Sequence, residues 1–446
     1  LSETLMIKNG VVITVDGKNK IYKNGTVVVR DGRILEVGKT VEVAKKYRAD
    51  TVVDAKKKAV LPGFVNLHVH SGLIRGTAED LAVWEWLKMY VDPKHKVLKS
   101  EDAYIASKLC YAEMLRAGVT CCLDMYRYMD RCADAAEEVG IRAFLSPYVG
   151  GAPGFDYFET LSENENLVRT RNGAANGRIN VWFGLEHLVY CTEETYRAAG
   201  ELARKYGVGI HTHGEESREM ANKLTKKYGK RPTEVFNDYG ILGPKTVLAH
   251  CVWLSDSEIK VIAKTGTNIS HNPTANMKLA SGVCRVLDLI KKGINVGLGS
   301  DGIKENNKID IIQEMKNAAL LQKVNSLDAT VLPVNTVLRM ATINGATALG
   351  LGNETGSLEK GKRADITIID LNKLHMSPLL FDEFFNIVAN IVYAAQGGDV
   401  STVLVDGKVV VKDGRVQTVD EEKLIENHTK VAASVLERRK KHVPQD

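Results

Sequence analysis

Between residues 63 and 300 the chain repeats one unit, a short apolar run of strand character followed by a longer segment of helical character. The runs span 63–70, 119–125, 142–149, 179–187, 208–213, 246–250, 267–271 and 295–300. Helix-like stretches such as 100–117, 192–206 and 255–264 separate them. A run as continuously apolar as 294–298 suits a strand covered on both faces, which is the environment of a parallel sheet. Eight such strands alternating with helices place the chain in the α/β class and predict a parallel (β/α)8 TIM barrel.

The 446 residues exceed what one ordinary core holds, and the flanks of the repeat have a different texture. Residues 6–15, 25–29, 33–37 and 51–54 are β-like runs punctuated by Asp-Gly pairs. The same texture returns at 365–370, 402–405 and 408–411, around Asp406-Gly407. Neither piece alone has enough strands for a stable core. The two are expected to pair into a second, smaller β-sandwich domain. The expected division is 1–60 for its first part, 61–360 for the barrel, and 361–446 for its second part with a C-terminal helix. A further helix is expected over 333–349.

Composition narrows the function classes. Apolar residues make up 44% and charged residues 26%, the balance of a soluble globular chain. The net charge is only +5, with Lys and Arg scattered among Asp and Glu, so there is no nucleic-acid-binding stripe. The basic run 438–441 reads as a solvated helix end. No apolar stretch nears the roughly 20 residues that span a bilayer, and no charged-then-apolar signal segment opens the chain. Seven cysteines without a C-x-x-C pair, two of them (Cys121 and Cys122) inside an apolar run, fit a reducing compartment. The expectation is a cytoplasmic protein with neither nucleic acid nor membrane as partner.

Polar residues recur at the C-terminal ends of the predicted strands, where a barrel builds its active site. His68 and His70 end the first strand. With one residue between them they share a face, and two imidazoles so placed can share a metal. His211, His213 and Glu216 close the fifth strand. Either histidine offers a third imidazole. His213 lies nearer the strand end, in an H-x-x-E spacing with Glu216, while His211 sits one step deeper and reads as structural. A metal-binding imidazole beside a carboxylate is what metal-assisted hydrolysis needs. His250 ends the sixth strand, and Asp301 follows the eighth in Gly299-Ser300-Asp301-Gly302. Taken singly, His250 reads as a polar strand cap and Asp301 as a turn or helix N-cap. Landing together on one rim of one barrel, His68, His70, His213, His250 and Asp301 read as a metal site.

The segment Leu61-Pro62-Gly63-Phe64-Val65-Asn66-Leu67-His68-Val69-His70 resembles the first-strand signature of the amidohydrolase superfamily. The resemblance is to its cytosine-deaminase-like branch, which includes S-adenosylhomocysteine/methylthioadenosine deaminases, guanine deaminases and s-triazine hydrolases such as atrazine chlorohydrolase. The likeness recurs at 75–81, 213–216, 249–252, 270–273 with Asn276 and Lys278-Leu279, 299–302, and 356–361 with Ala364-Asp365, and so covers nearly the whole chain. It implies one divalent cation, Zn2+ or Fe2+, bound by His68, His70, His213 and Asp301. It makes Glu216 the proton shuttle and His250 the hydrogen-bonding partner of the attacking water, so Glu216, His250 and Asp301 carry the catalysis. Related branches bridge two metals with a carboxylated Lys after the fourth strand. Residues 181–190 contain no Lys, which favours one metal, although Glu186 offers a carboxylate there. The implied reaction is attack of water on the amino-substituted carbon of a small N-heterocycle, with release of ammonia. The ring would be a purine, pterin or triazine, or part of an adenosine derivative. The alternative is hydrolytic loss of chloride or an alkylamine from an s-triazine through the same kind of intermediate. Related enzymes are often dimers or larger, so a homo-oligomer is expected.

Substrate choice is expected in the loops after the early strands. Trp84 and Trp86 can stack on a flat heterocycle. His187 resembles a His that contacts the purine in adenosine-type deaminases. Its neighbour Glu186 can instead pair with a ring N–H or an exocyclic amine. His95 stands where the S-adenosylhomocysteine deaminases carry an acidic residue for the ribose hydroxyls, and Ser146-Pro147-Tyr148 stands where they carry an Arg. Both departures point toward a smaller ring. His271, Asn272 and Asn276 are expected to shape the loop after the seventh strand.

Overall fold

The computed structural model describes residues 3–77, 79–81 and 83–444, and of Val83 and Trp84 the backbone only. The chain divides into two compact units. One comprises Leu1–Asn66, Ala112–Cys121 and Asp310–Thr418, the other Leu67–Tyr111, Cys122–Ile309 and Val419–Asp446. Among the described residues no helix is long and apolar enough to cross a membrane.

The first unit is built on a nine-stranded mixed sheet. Its path runs Arg415–Val416, Lys408–Lys412, Val400–Val405, Ile366–Asp370, Lys58–Pro62, Thr4–Ile13, Ile21–Arg30 and Arg33–Lys39, with Thr51–Asp54 also paired to Thr4–Ile13. The strand-rich pieces from the two ends of the chain therefore share one sheet. Lys58–Pro62 joins them, parallel to Val11 and Val12 and antiparallel to Ile366–Asp370. Sequence reading does not separate this strand, because 59–65 is one apolar run divided only by Gly63. Successive side chains point to opposite faces. Leu5, Ile7, Val27, Val29, Ile366 and Leu404 bury in one cluster, and Met6, Val28 and Val43 in another. The helix expected over 333–349 is two, Val334–Met340 and Ile343–Ala348. Thr342 leaves helical geometry between them (φ −132°, ψ −96°), and the carbonyl of Ala341 accepts the backbone N–H of Val65 instead of continuing the ladder.

All eight strands of the repeat form. They are Phe64–Val69, Val119–Tyr126, Arg142–Pro147, Ile179–Val181 continued by Phe183–Leu185, Ile210–His213, Thr246–Ala249, Asn268–His271 and Val296–Leu298. They lie in chain order in two sheets, and every pairing from the third strand onward is parallel. The fourth strand breaks at Trp182, so its first piece pairs with the third strand and its second piece with the fifth. Backbone contacts link the sheets, among them the donation of the Glu186 N–H to the carbonyl of Val149 at 3.3 Å. Val149 bridges Leu185 in parallel, and the backbone N–H of Asp301 donates to the carbonyl of His68 at 3.0 Å. The architecture is TIM-barrel-like α/β.

Helix starts follow the strand ends closely. Thr192, Ser217 and Ser255 each accept the backbone N–H of the residue three positions on, which satisfies an otherwise orphaned helix donor. Ser217 caps its helix directly after Glu216, so that carboxylate sits on a strand-to-helix turn whose backbone is fixed.

Candidate active site

The four imidazoles at the strand ends are oriented from behind. His213 donates Nδ1–H to the carbonyl of Glu186 at 2.5 Å, and His70 donates Nδ1–H to the carbonyl of Met125 at 2.7 Å. His211 donates Nδ1–H to the carbonyl of Val247 at 2.9 Å, which leaves its Nε2 to accept Nδ1–H of His68 at 2.8 Å. A carbonyl can only accept, so each proton is assigned to Nδ1 and each outward Nε2 carries a lone pair. His211 is thus the support of His68 rather than a member of the converging set.

The outward nitrogens crowd one another. Nε2 of His70 and Nε2 of His213 are 3.2 Å apart. Nε2 of His68 is buried without a hydrogen-bond partner and lies 3.5 Å from Oδ1 of Asp301. Nε2 of His70 is also 3.5 Å from that oxygen. Lone pairs facing lone pairs beside a carboxylate repel one another unless a cation lies among them. Three nitrogens and one oxygen are a donor set that suits zinc. Burial, reinforced by the neighbouring His68, holds His70 and His213 well below the usual imidazole range, so both are neutral, as ligands must be. Ligand-capable atoms of His68, His70 and Asp301 all lie within 4.8 Å of one another, as do those of His68, His213 and His250. The residues present fit a divalent cation.

Two of these residues hold unusual backbone. His250 has φ 68° and Asp301 φ 60°, a region that non-glycine residues occupy at a cost of order 1–3 kcal/mol and that concentrates at functional sites. His250 donates Nδ1–H to Oδ1 of Asn276 at 2.9 Å, and its Nε2 lies 3.7 Å from Oδ2 of Asp301. Burial works against the His250 imidazolium, but the carboxylates of Glu216 and Asp301 outweigh it, and the pKa is raised. Burial likewise opposes the Asp301 carboxylate. The adjacent His68 ring and the charge of His250 overcome it and hold the group below the usual range.

Glu216 lines one cavity with His70, His213, His250 and Asp301, and burial raises its carboxyl above the usual glutamate range, with His250 pulling the other way. Its neighbour Glu215 turns away, accepting both the backbone N–H and the hydroxyl of Thr233 at 2.8 Å. Asn276 serves His250, Asn272 accepts the hydroxyl of Ser270 at 2.9 Å, and His271 is fully buried.

The walls of the cavity carry most of the residues expected to choose a substrate. Trp86 is buried there, with the Lys304 ammonium 5.0 Å from its ring centroid. The side chain of Trp84 lies outside the described residues. His95 is 2% exposed and meets Tyr148 edge-on at 5.3 Å. Glu186 and His187 both line the cavity. Oε2 of Glu186 is buried without a partner, and Nδ1 of His187 accepts the backbone N–H of Val189 at 3.2 Å. Lys304 and Glu305, an ion pair on the wall, are absent from the sequence reading. The one signal for them was their place just beyond the Asp301-Gly302 turn.

The relay behind His68 is testable. In His211→Phe the imidazole of His68 loses its only fixed acceptor, and metal affinity is expected to fall about 10–100-fold. Chelator competition followed by plasma emission measures this. An unchanged affinity contradicts the relay.

Residues 59–410 match the amidohydrolase family. Over 437 residues the chain is 43% identical to a 5'-deoxyadenosine deaminase of Methanosarcina mazei, covering 97% of this chain and 99% of that one. It is 37% identical over 443 residues to a 5-methylthioadenosine/S-adenosylhomocysteine deaminase of Acetivibrio thermocellus, covering 97% and 99%. Among solved structures, an adenosine deaminase from Xanthomonas campestris with bound zinc superposes with a TM-score of 0.92 at 28% identity, covering 97% of this chain and 98% of that one.

Proposed function

The chain belongs to the amidohydrolase family, and from that premise we propose that it removes the purine amino group of an adenosine derivative by hydrolysis, releasing ammonia. It is a hydrolase of carbon–nitrogen bonds. Within the heterocycles open to the sequence, its relatives favour the adenosine derivative over a free base, pterin or triazine. We read the two parallel sheets as one closed eight-stranded barrel and the nine-stranded sheet as the smaller β domain. The observation that carries the functional reading is the convergence of the His68, His70 and His213 lone pairs with the Asp301 carboxylate, beside Glu216.

His68, His70, His213 and Asp301 would hold one divalent cation, zinc by the character of the donors. Such a cation, when bound, acidifies a water and so supplies a nucleophile near neutral pH. Glu216 takes a proton from the attacking water and delivers it to a ring nitrogen, which makes the adjacent carbon more electrophilic. His250 donates through Nε2 to the oxygen arriving at that carbon, and the Asp301 carboxylate favours its protonated form. The second proton goes to the amine, which leaves as ammonia. Buried Oε2 of Glu186 and the ring of His187 present polar edges to the heterocycle, and Trp86 offers it a flat apolar face.

A panel of 5'-deoxyadenosine, adenosine, guanine, pterin and a chlorotriazine tests the reading. Ammonia is expected from the adenosine derivatives. Chloride release from the triazine with no ammonia from any nucleoside contradicts it. The pH profile follows from Glu216, which must begin as the carboxylate. Its raised pKa means that protonation removes activity as pH falls through a value above the ordinary glutamate figure of about 4.3. log kcat/KM is therefore expected to show an acid limb with its midpoint above that value. A profile flat down to about pH 4.3 contradicts the assignment.

A further inference from the structure

Beside the catalytic cavity lies a second cleft that shares Trp86, Val91 and Lys304 with it. Among the described residues its remaining charged lining is Lys94 and Arg439, and no carboxylate lines it. We propose that Lys94, Lys304 and Arg439 form a subsite for an anionic group, a phosphate or carboxylate, carried on the end of the substrate remote from the amino group. This rests on the deaminase reading of the neighbouring cavity.

The cations are unusually placed. Lys94 is 4% exposed, and among the described residues its ammonium has no hydrogen-bond or ion-pair partner. Burial, with Lys304 adding to it, pushes its pKa down to about 7. The nearby Glu305 carboxylate engages Lys304 through Oε1, while its Oε2 is buried without a hydrogen-bond partner. Arg439 is fixed by donating Nη1–H to the carbonyl of Met89 at 3.1 Å and by lying 5.0 Å over the Tyr90 ring, yet its buried Nε–H has no acceptor. The helix that carries it, Glu421–Arg439, is tied down by the ion pair of Arg438 with Asp102. An unpaired buried cation is costly, and like charges gathered around one cleft repel. An oxyanion relieves both, and it supplies the acceptors that the Lys94 ammonium and the Arg439 Nε–H lack. Because Lys304 and Trp86 face both spaces, a single molecule can place a ring in one and an anion in the other.

The test titrates inorganic phosphate into the zinc-loaded enzyme by calorimetry. Saturable binding is expected, weakened about 10–100-fold in Lys94→Met and in Arg439→Gln. Arg439 is only half-buried, so its variant keeps the test valid if Lys94→Met does not fold. No saturable binding in the wild type, or binding untouched by either substitution, overturns the proposal. The second arm compares adenosine 5'-monophosphate with 5'-deoxyadenosine. The kcat/KM ratio of the charged to the uncharged substrate is expected to fall roughly tenfold or more in both variants, mainly through KM. An equal loss on the two substrates overturns the claim that the anion belongs to the substrate. If neither substrate is deaminated while phosphate still binds through both cations, the anion site is supported and the deaminase reading fails on its own.

Discussion

Glu216→Gln lowers kcat by about 10²–10⁴-fold and leaves the zinc content unchanged. The amide keeps the size and the backbone position that Ser217 fixes, but it cannot take up a proton and pass it on. Glu216 does not belong to either cluster of converging ligand atoms, so its loss spares the cation. Glu215 cannot stand in, because its carboxylate is engaged by Thr233 on the far side of the chain. Steady-state kinetics on 5'-deoxyadenosine, with plasma emission on the same preparation, measures both parts. A variant that keeps wild-type turnover, or one that loses its zinc, contradicts the role assigned to this residue.

Asp301→Asn empties the site and abolishes most activity. The substitution removes the only anionic donor among three neutral imidazoles. It also removes one of the carboxylates, with Glu216 and Glu305, that raise the His250 pKa. The effect is not a backbone one, since Asn tolerates the left-handed conformation at φ 60° as well as Asp does. Metal affinity is expected to fall by more than the roughly 10–100-fold typical of losing an outer partner such as His211. Chelator competition gives the number. Full occupancy together with undiminished kcat contradicts the assignment of Asp301 as a ligand.

The repeat from 63 to 300 was legible because parallel strands covered on both faces are short and continuously apolar, and each ends where polarity returns. The histidines were legible for the same reason. H-x-H at 68 and 70, H-x-x-E at 213 and 216, and the polar ends at His250 and Asp301 interrupt apolar runs where no core needs them, and the structure brings their side chains together. Periodicity has less hold elsewhere. Lys58–Pro62 was hidden in an apolar run that continues into the next strand. The break at Thr342 is imposed by a partner remote in sequence, the Val65 N–H. Lys304 and Glu305 look like ordinary solvated loop charges, and only the tertiary fold turns them inward beside Trp86. Spacing could not choose between Glu186 and His187, and both line the cavity.

In the proposed site one cation joins His68, His70, His213 and Asp301 beside Glu216. Anomalous diffraction at the zinc edge from crystals of the zinc-loaded protein tests it most directly. A single peak about 2.0–2.2 Å from one atom of each of the four ligands is the predicted result. Two peaks bridged through Glu186, or a peak out of reach of Asp301, would contradict it.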